Sequence, residues 1–157
     1  MRVRLRARWA SLPRWARWVS AIYLVGFADG TADHLRWMSH GGIHAYATSY
    51  PQVPIQVFFV AIVALDPLVV VLVGLVRRPG AWLACAVMVL DVAANWVGNW
   101  ARIQRDPGAD VPWLITLFGL FVFATAWPLA RTIAGRSQAL SGQPGGQEPS
   151  GRPISHS

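Results

Sequence analysis

Residues 53–100 read VPIQVFFVAIVALDPLVVVLVGLVRRPGAWLACAVMVLDVAANWVGNW. Two apolar runs are separated only by Arg77-Arg78-Pro79-Gly80, and each carries one aspartate near its middle, Asp66 and Asp91. A helix rises 1.5 Å per residue, so about twenty apolar residues cross the ~30 Å hydrocarbon core of a bilayer. Two such runs joined by Arg-Arg-Pro-Gly predict a hairpin of transmembrane helices, over about 53–76 and 81–100.

The same reading extends outward to two further helices, Trp18 to Trp37 and Val111 to Ala130. The chain has 157 residues, 54% hydrophobic and 13% charged, with nine Trp. A soluble domain carries about a quarter charged residues. Long apolar blocks therefore predict an all-α, polytopic membrane four-helix bundle over residues 18–134, with no room for a second domain. The first helix has the shortest uninterrupted apolar run, Val19 to Ala28, followed by Ala28-Asp29-Gly30. That resembles a signal-peptide core and cleavage site, but Asp29 occupies its middle and the helical pattern continues past it.

The net charge is +7, carried by arginine without any lysine, a usage that points to a GC-rich genome. Six arginines, Arg2, Arg4, Arg6, Arg8, Arg14 and Arg17, fill a basic segment over residues 1–17. A basic block can hold nucleic acid, but beside a hydrophobic helix it reads as a cytoplasmic anchor, and no nucleic-acid partner is expected. With the N-terminus inside, Arg77, Arg78, Arg131 and Arg136 join it on the cytoplasmic side, against Arg36, Arg102 and Arg105 outside. Trp18, Trp82 and Trp127 fall at the inner ends and Trp37, Trp100 and Trp113 at the outer ends, the depth that an amphipathic indole prefers. The expected topology is a multi-pass protein of the cell membrane with both termini cytoplasmic. Residues 135–157, rich in Gly, Ser, Pro and Gln, read as a disordered cytoplasmic tail. Cys85 is the only cysteine, which excludes an intramolecular disulfide and CxxC redox chemistry.

Carboxylates at bilayer depth cost a few kcal/mol on insertion scales unless they face protein or water. Asp29, Asp66 and Asp91 therefore mark a candidate intramembrane site. Asp29, Asp33 and Arg36 share one helix face by spacing, Asp33 with Arg36 reading as an interfacial ion pair. Gly26 and Gly30 form a small-xxx-small pair that admits a close neighbouring helix. Asp66 precedes Pro67, whose missing N–H frees a carbonyl one turn back. Asp91, Asn95, Asn99 and Arg102 advance by four, four and three as one polar stripe toward the outer surface. The expected site residues are thus Asp29, Asp66, Asp91, Asn95 and Asn99, in a pocket bounded by the first three helices. The bland alternative makes each of them interhelical polar glue. Carboxylates gathered in low dielectric repel one another, a condition that suits cation binding, proton relay or general acid catalysis and selects none of them.

His34, His40 and His44 are weaker candidates as metal ligands, because Gly41-Gly42 interrupts the helical spacing of the last two and no HExxH is present. The sequence has no P-loop, no GxGxxG and no GxSxG, so nucleotide chemistry and serine-triad hydrolysis have no support, and no cofactor is expected.

The layout resembles the EXPERA group of membrane proteins, on Asp29 in YLVGFADGTADH, Asp66 in VALDPLVV and Pro67, over about Tyr23 to Arg131. The resemblance implies four helices, cytoplasmic termini and acidic residues on the first two helices lining a pocket for sterol-like or amphipathic amine ligands. The extra helix and the His/Glu acid pair of the family's isomerases have no counterpart here, and the first loop lacks an expected acidic residue.

The favoured expectation is a small membrane protein that binds a lipophilic or amphipathic molecule, in contact with membrane lipids. One rival is an isomerase or cyclase acting on a terpenoid or sterol-like substrate by acid catalysis, with Trp96 or Trp100 steadying a carbocation. The other is a transport or accessory subunit, acting as a homo-oligomer or with a membrane partner.

Overall fold

The computed structural model of the protein describes residues 2–108 and 110–141. These form α1 (Arg2–Ser11), α2 (Arg14–Ala47), α3 (Val53–Gly74), α4 (Arg78–Gly98), α5 (Trp100–Arg105) and α6 (Asp110–Ser141), with no strand among the described residues. α3, α4 and residues Pro112–Arg136 of α6 are long and apolar enough to cross a membrane. α2 is longer, but Asp29, Asp33, His34 and Arg36, from its middle onward, keep it less apolar than the other three.

The four long helices close a ring: α2 packs on α3, α3 on α4, α4 on α6, and α6 back on α2. Two seams differ in kind. Between α2 and α3 a Cβ at Gly30 would lie 2.8 Å from the Asp66 carboxylate, so the missing side chain is what makes room for that carboxyl against α2. Between α2 and α6 aromatic rings fill the gap: Tyr23 meets Phe121 at 6.1 Å and Phe27 meets Phe118 at 5.7 Å, both edge-on. Gly26 and Gly30 therefore serve two different neighbours, since a Cβ at Gly26 would run into the Phe118 ring. The core runs through Tyr23, Phe27, Ile62, Val69, Val87, Val122 and Leu129, all nearly inaccessible.

Several boundaries differ from the sequence reading for identifiable reasons. α2 begins after Pro13, whose extended backbone (φ −62°, ψ 156°) precedes the first helical turn, and it continues to Ala47 across a break at Gly42 with φ 74°. The basic N-terminal segment contains a helix, α1, that folds back onto the bundle: the Trp9 indole N–H donates to the Gly74 carbonyl at 2.8 Å and Leu12 is buried. α4 ends at Gly98, and α5 follows beyond Asn99. α6 continues through Gly135 to Ser141, where Gln138, Ala139 and Leu140 favour helix. The predicted tail beyond Ser141 lies outside the described residues.

The α3–α4 turn departs from its sequence reading as well. The Arg77 N–H donates to Leu72 O and the Val76 N–H to Val73 O, each at 2.9 Å, which is the bonding pattern of a helix end that wants glycine in the left-handed position. Val76 holds that position, with φ 52°. Gly80 serves packing instead: a Cβ there would come within 2.8 Å of the Val73 backbone nitrogen.

Candidate functional site

The inward face of α2 follows Tyr23, Phe27, Gly30 and His34, at helical spacings of four, three and four. His34 thereby points at α3, where its Nε2 lies 3.6 Å from Asp66 Oδ2. Asp66 is 4% exposed and eight residues from the end of α3, about 12 Å at helical rise, well inside the apolar span. The contact of His34 with Asp66 sits at the α2–α3 seam, beside Gly30.

Tyr46 completes the row. Twelve residues of continuous helix would separate it from His34 by about 18 Å, yet its hydroxyl lies 2.8 Å from His34 Nδ1. The break at Gly42 turns the chain back and makes that contact. Burial raises the Tyr46 phenol above its ordinary range, so it keeps its proton and donates to Nδ1. The remaining imidazole proton is thereby assigned to Nε2, facing Asp66. Phe59 packs edge-on to both His34 and Tyr46, and Tyr50 stacks flat on Phe59 at 4.8 Å. Gln56 Nε2 donates to the Tyr50 carbonyl at 2.6 Å, and a Cβ at Gly98 would strike the Tyr50 ring. The chain after Gly42 thus lays two tyrosines over the outer end of the seam.

On α4, Asn95 Nδ2 donates to Asp91 Oδ1 at 2.9 Å and to the Asp91 carbonyl at 3.0 Å, and Asn99 Nδ2 donates to the Asn95 carbonyl at 2.9 Å. From Asp91 to Asn99 the stripe read from the sequence is therefore a ladder of side-chain hydrogen bonds within α4, with Asn95 6% exposed. Asp66 and Asp91 act electrostatically on one another and both on Tyr46. The structure brings Asp66, Asp91, Asn95 and Asn99 to one side of the bundle, with His34 and Tyr46.

Asp29 stands apart. It lies on the exposed face of α2, out of phase with Phe27 and Gly30, and has no hydrogen-bond or ion-pair partner among the described residues. Asp33 pairs with Arg36 at 3.2 Å on the same exposed face, as the spacing predicts. His40 and His44 are exposed, and no group of three or more His, Cys, Asp or Glu side chains that could hold a metal occurs among the described residues. Trp96 turns toward α6, donating its indole N–H to Thr116 Oγ1 at 2.8 Å, and Trp100 is exposed, so neither ring belongs to the Asp66 row. An open apolar groove of about 240 Å³ lies elsewhere, between α4 and α6, lined by Met88, Val92, Gly119 and Phe123.

Sequence reasoning weighed His34 only as a weak metal ligand and gave Tyr46 no role. The phase from Tyr23 through Gly30 pointed to His34. Nothing local pointed to Tyr46, whose place depends on a backbone reversal. Comparison with protein-family models, curated proteins and solved structures found no match to this chain.

Proposed function

We propose that the protein binds the cationic or polar head of an amphipathic molecule between α2, α3 and α4, with Asp66 as the principal anchor. The observation that carries this reading is the charge balance at the seam: the buried Asp66 faces the His34 imidazole, a second carboxyl, Asp91, is near enough to act on it, and among the described residues no arginine pairs with either. Arg36 is engaged by Asp33 on the exposed face, and Arg102 and Arg105 are exposed. At this depth only a proton or an incoming cation neutralises the excess charge. An amine with an apolar tail supplies the cation and remains at home among lipid. Asn95 and Asn99 help orient the head, and Tyr46 and Tyr50 close the outer side. Asp29 has no part in this reading, although the family resemblance implied one.

The reading includes four spanning helices with both termini cytoplasmic. α2 packs along α3 and touches α6, and its buried face runs from Ala16 through Val19, Ser20 and Tyr23 to Phe27. The distribution of arginine and tryptophan supports the sidedness.

Native mass spectrometry with dodecylamine as probe tests the anchor, comparing wild type with Asp66→Asn. Removing a charged hydrogen-bond partner is expected to weaken retention about tenfold while the bundle stays folded. Equal retention by a folded variant refutes the role. A second reading draws on the Tyr46–His34–Asp66 row: the same carboxyl, holding the proton instead, would donate it to an alkene of a terpenoid or sterol-like substrate. His34→Gln separates the two, since it spares amine retention but abolishes product formation if the row moves protons.

A further inference from the structure

The end of the bundle formed by α1, the α3–α4 turn and the last turns of α6 carries a charge that no described residue answers. No Asp or Glu occurs in residues 1–28, 67–90 or 111–136, which supply this end. Arg8, Arg77 and Arg78 are exposed, and no described arginine here has an ion-pair partner. These three are brought together by tertiary structure. α1 is pinned by Trp9 to Gly74 O, and Arg8 Nη1 reaches the Leu75 carbonyl at 3.4 Å, placing its guanidinium on the turn that bears Arg77 and Arg78. Beside them Trp82 packs edge-on to Trp127 at 5.5 Å, and the Arg131 guanidinium lies 4.3 Å over the Trp127 ring. Exposed indoles mark the headgroup depth of a bilayer, so the arginines meet the membrane where phosphates lie.

We infer that Arg8, Arg77 and Arg78, gathered by the docked helix α1, form a seat for the phosphate-bearing headgroups of anionic phospholipids. The surface is complementary in charge to such a leaflet, and guanidinium forks match phosphate oxygens in geometry. Docking of α1 makes the seat a fixed part of the bundle instead of a tethered basic arm. The inference is independent of any ligand at Asp66.

The test is native mass spectrometry of the full chain released from nanodiscs of equal phosphatidylglycerol and phosphatidylcholine. Wild type is expected to retain phosphatidylglycerol preferentially. Each arginine near an anionic surface contributes roughly fivefold, so Arg8→Gln/Arg77→Gln/Arg78→Gln is expected to reduce that preference by roughly a hundredfold. Arg102→Gln/Arg105→Gln, which removes two exposed arginines from the opposite end, should leave it unchanged and, set against the equally charged Arg77→Gln/Arg78→Gln, controls for net charge. An equal preference in the first variant overturns the inference, as does an equal loss in the two double variants. Inorganic phosphate and a short RNA serve as competitors. Displacement of phosphatidylglycerol by millimolar phosphate overturns the seat in favour of a free-anion site, and displacement by RNA overturns it in favour of nucleic acid.

Discussion

The two halves of this bundle are built on opposite principles. The half beside α1 and the α3–α4 turn, the inner half if the termini are cytoplasmic, surrounds Tyr23, Val69, Val73, Ala84, Val122 and Leu129 and is nearly all apolar and nearly inaccessible. Its principal polar contact between helices is the Tyr23 hydroxyl, which donates to Val122 O at 2.9 Å and lies 2.9 Å from Thr125 Oγ1. The outer half holds His34, Asp66, Asp91 and Asn95 at the helix seams, a backbone break at Gly42 and tyrosines folded over the end. Polar groups held in low dielectric are stabilising only while every partner stays in place. The inner half holds the helices in register so that the outer half can keep a carboxylate at bilayer depth.

If that division is right, Tyr23→Ala is the most damaging single change. It removes a side chain with no accessible surface, two edge-on ring contacts and the cross-bundle hydroxyl. Truncating a buried aromatic costs about 3 kcal/mol or more, so the detergent-solubilised protein should unfold at markedly lower denaturant. Tyr23→Phe keeps the ring and should cost about 1 kcal/mol. A Tyr23→Ala protein as stable as wild type would break the comparison, because the inner half would then not be what holds the bundle.

Tyr46→Phe probes the other half and should be milder. The ring still packs on Phe59, while His34 Nδ1 loses its donor. The expected stability loss is about 1 kcal/mol. The larger consequence falls on His34, whose ring proton is then free to move between Nε2 and Nδ1; nitrogen NMR of the imidazole should show Nε2–H in wild type and a mixture in the variant. An unchanged tautomer would mean that Asp66 alone fixes the ring.

The same division explains what was legible in the sequence. α3 and α4 were readable because a bilayer demands long apolar runs and Arg77 to Gly80 cannot continue one. Asp66 and Asp91 were readable because carboxylates within such runs have few tolerable surroundings. Asp29 was misplaced because depth was read without phase: Tyr23, Phe27, Gly30 and His34 define the inward face, and Asp29 lies two residues off Phe27. Tyr46 and α1 were illegible because their positions are fixed by contacts across the fold, to His34 and to Gly74, and no local periodicity encodes them.

The smallest expected effect concerns the joint between α3 and α4. A β-branched residue in the left-handed region costs about 1–2 kcal/mol, and Val76 occupies it with φ 52°. Val76→Gly relieves that cost, but glycine gives back about 0.4–1 kcal/mol through the freedom it restores to the unfolded chain. Val76 also packs partly against the core, so some burial is lost. The balance favours the variant by about 0.5 kcal/mol, a small rise in Tm. The position is informative because Arg8 and Trp9 bond to the Leu75 and Gly74 carbonyls immediately before it. If the docked helix α1 is what holds the turn in its strained form, removing residues 1–11 should destabilise wild type more than Val76→Gly, since only wild type needs the clamp. Equal losses would show that the turn keeps its shape without α1, and that the inner half is held together by its apolar core alone.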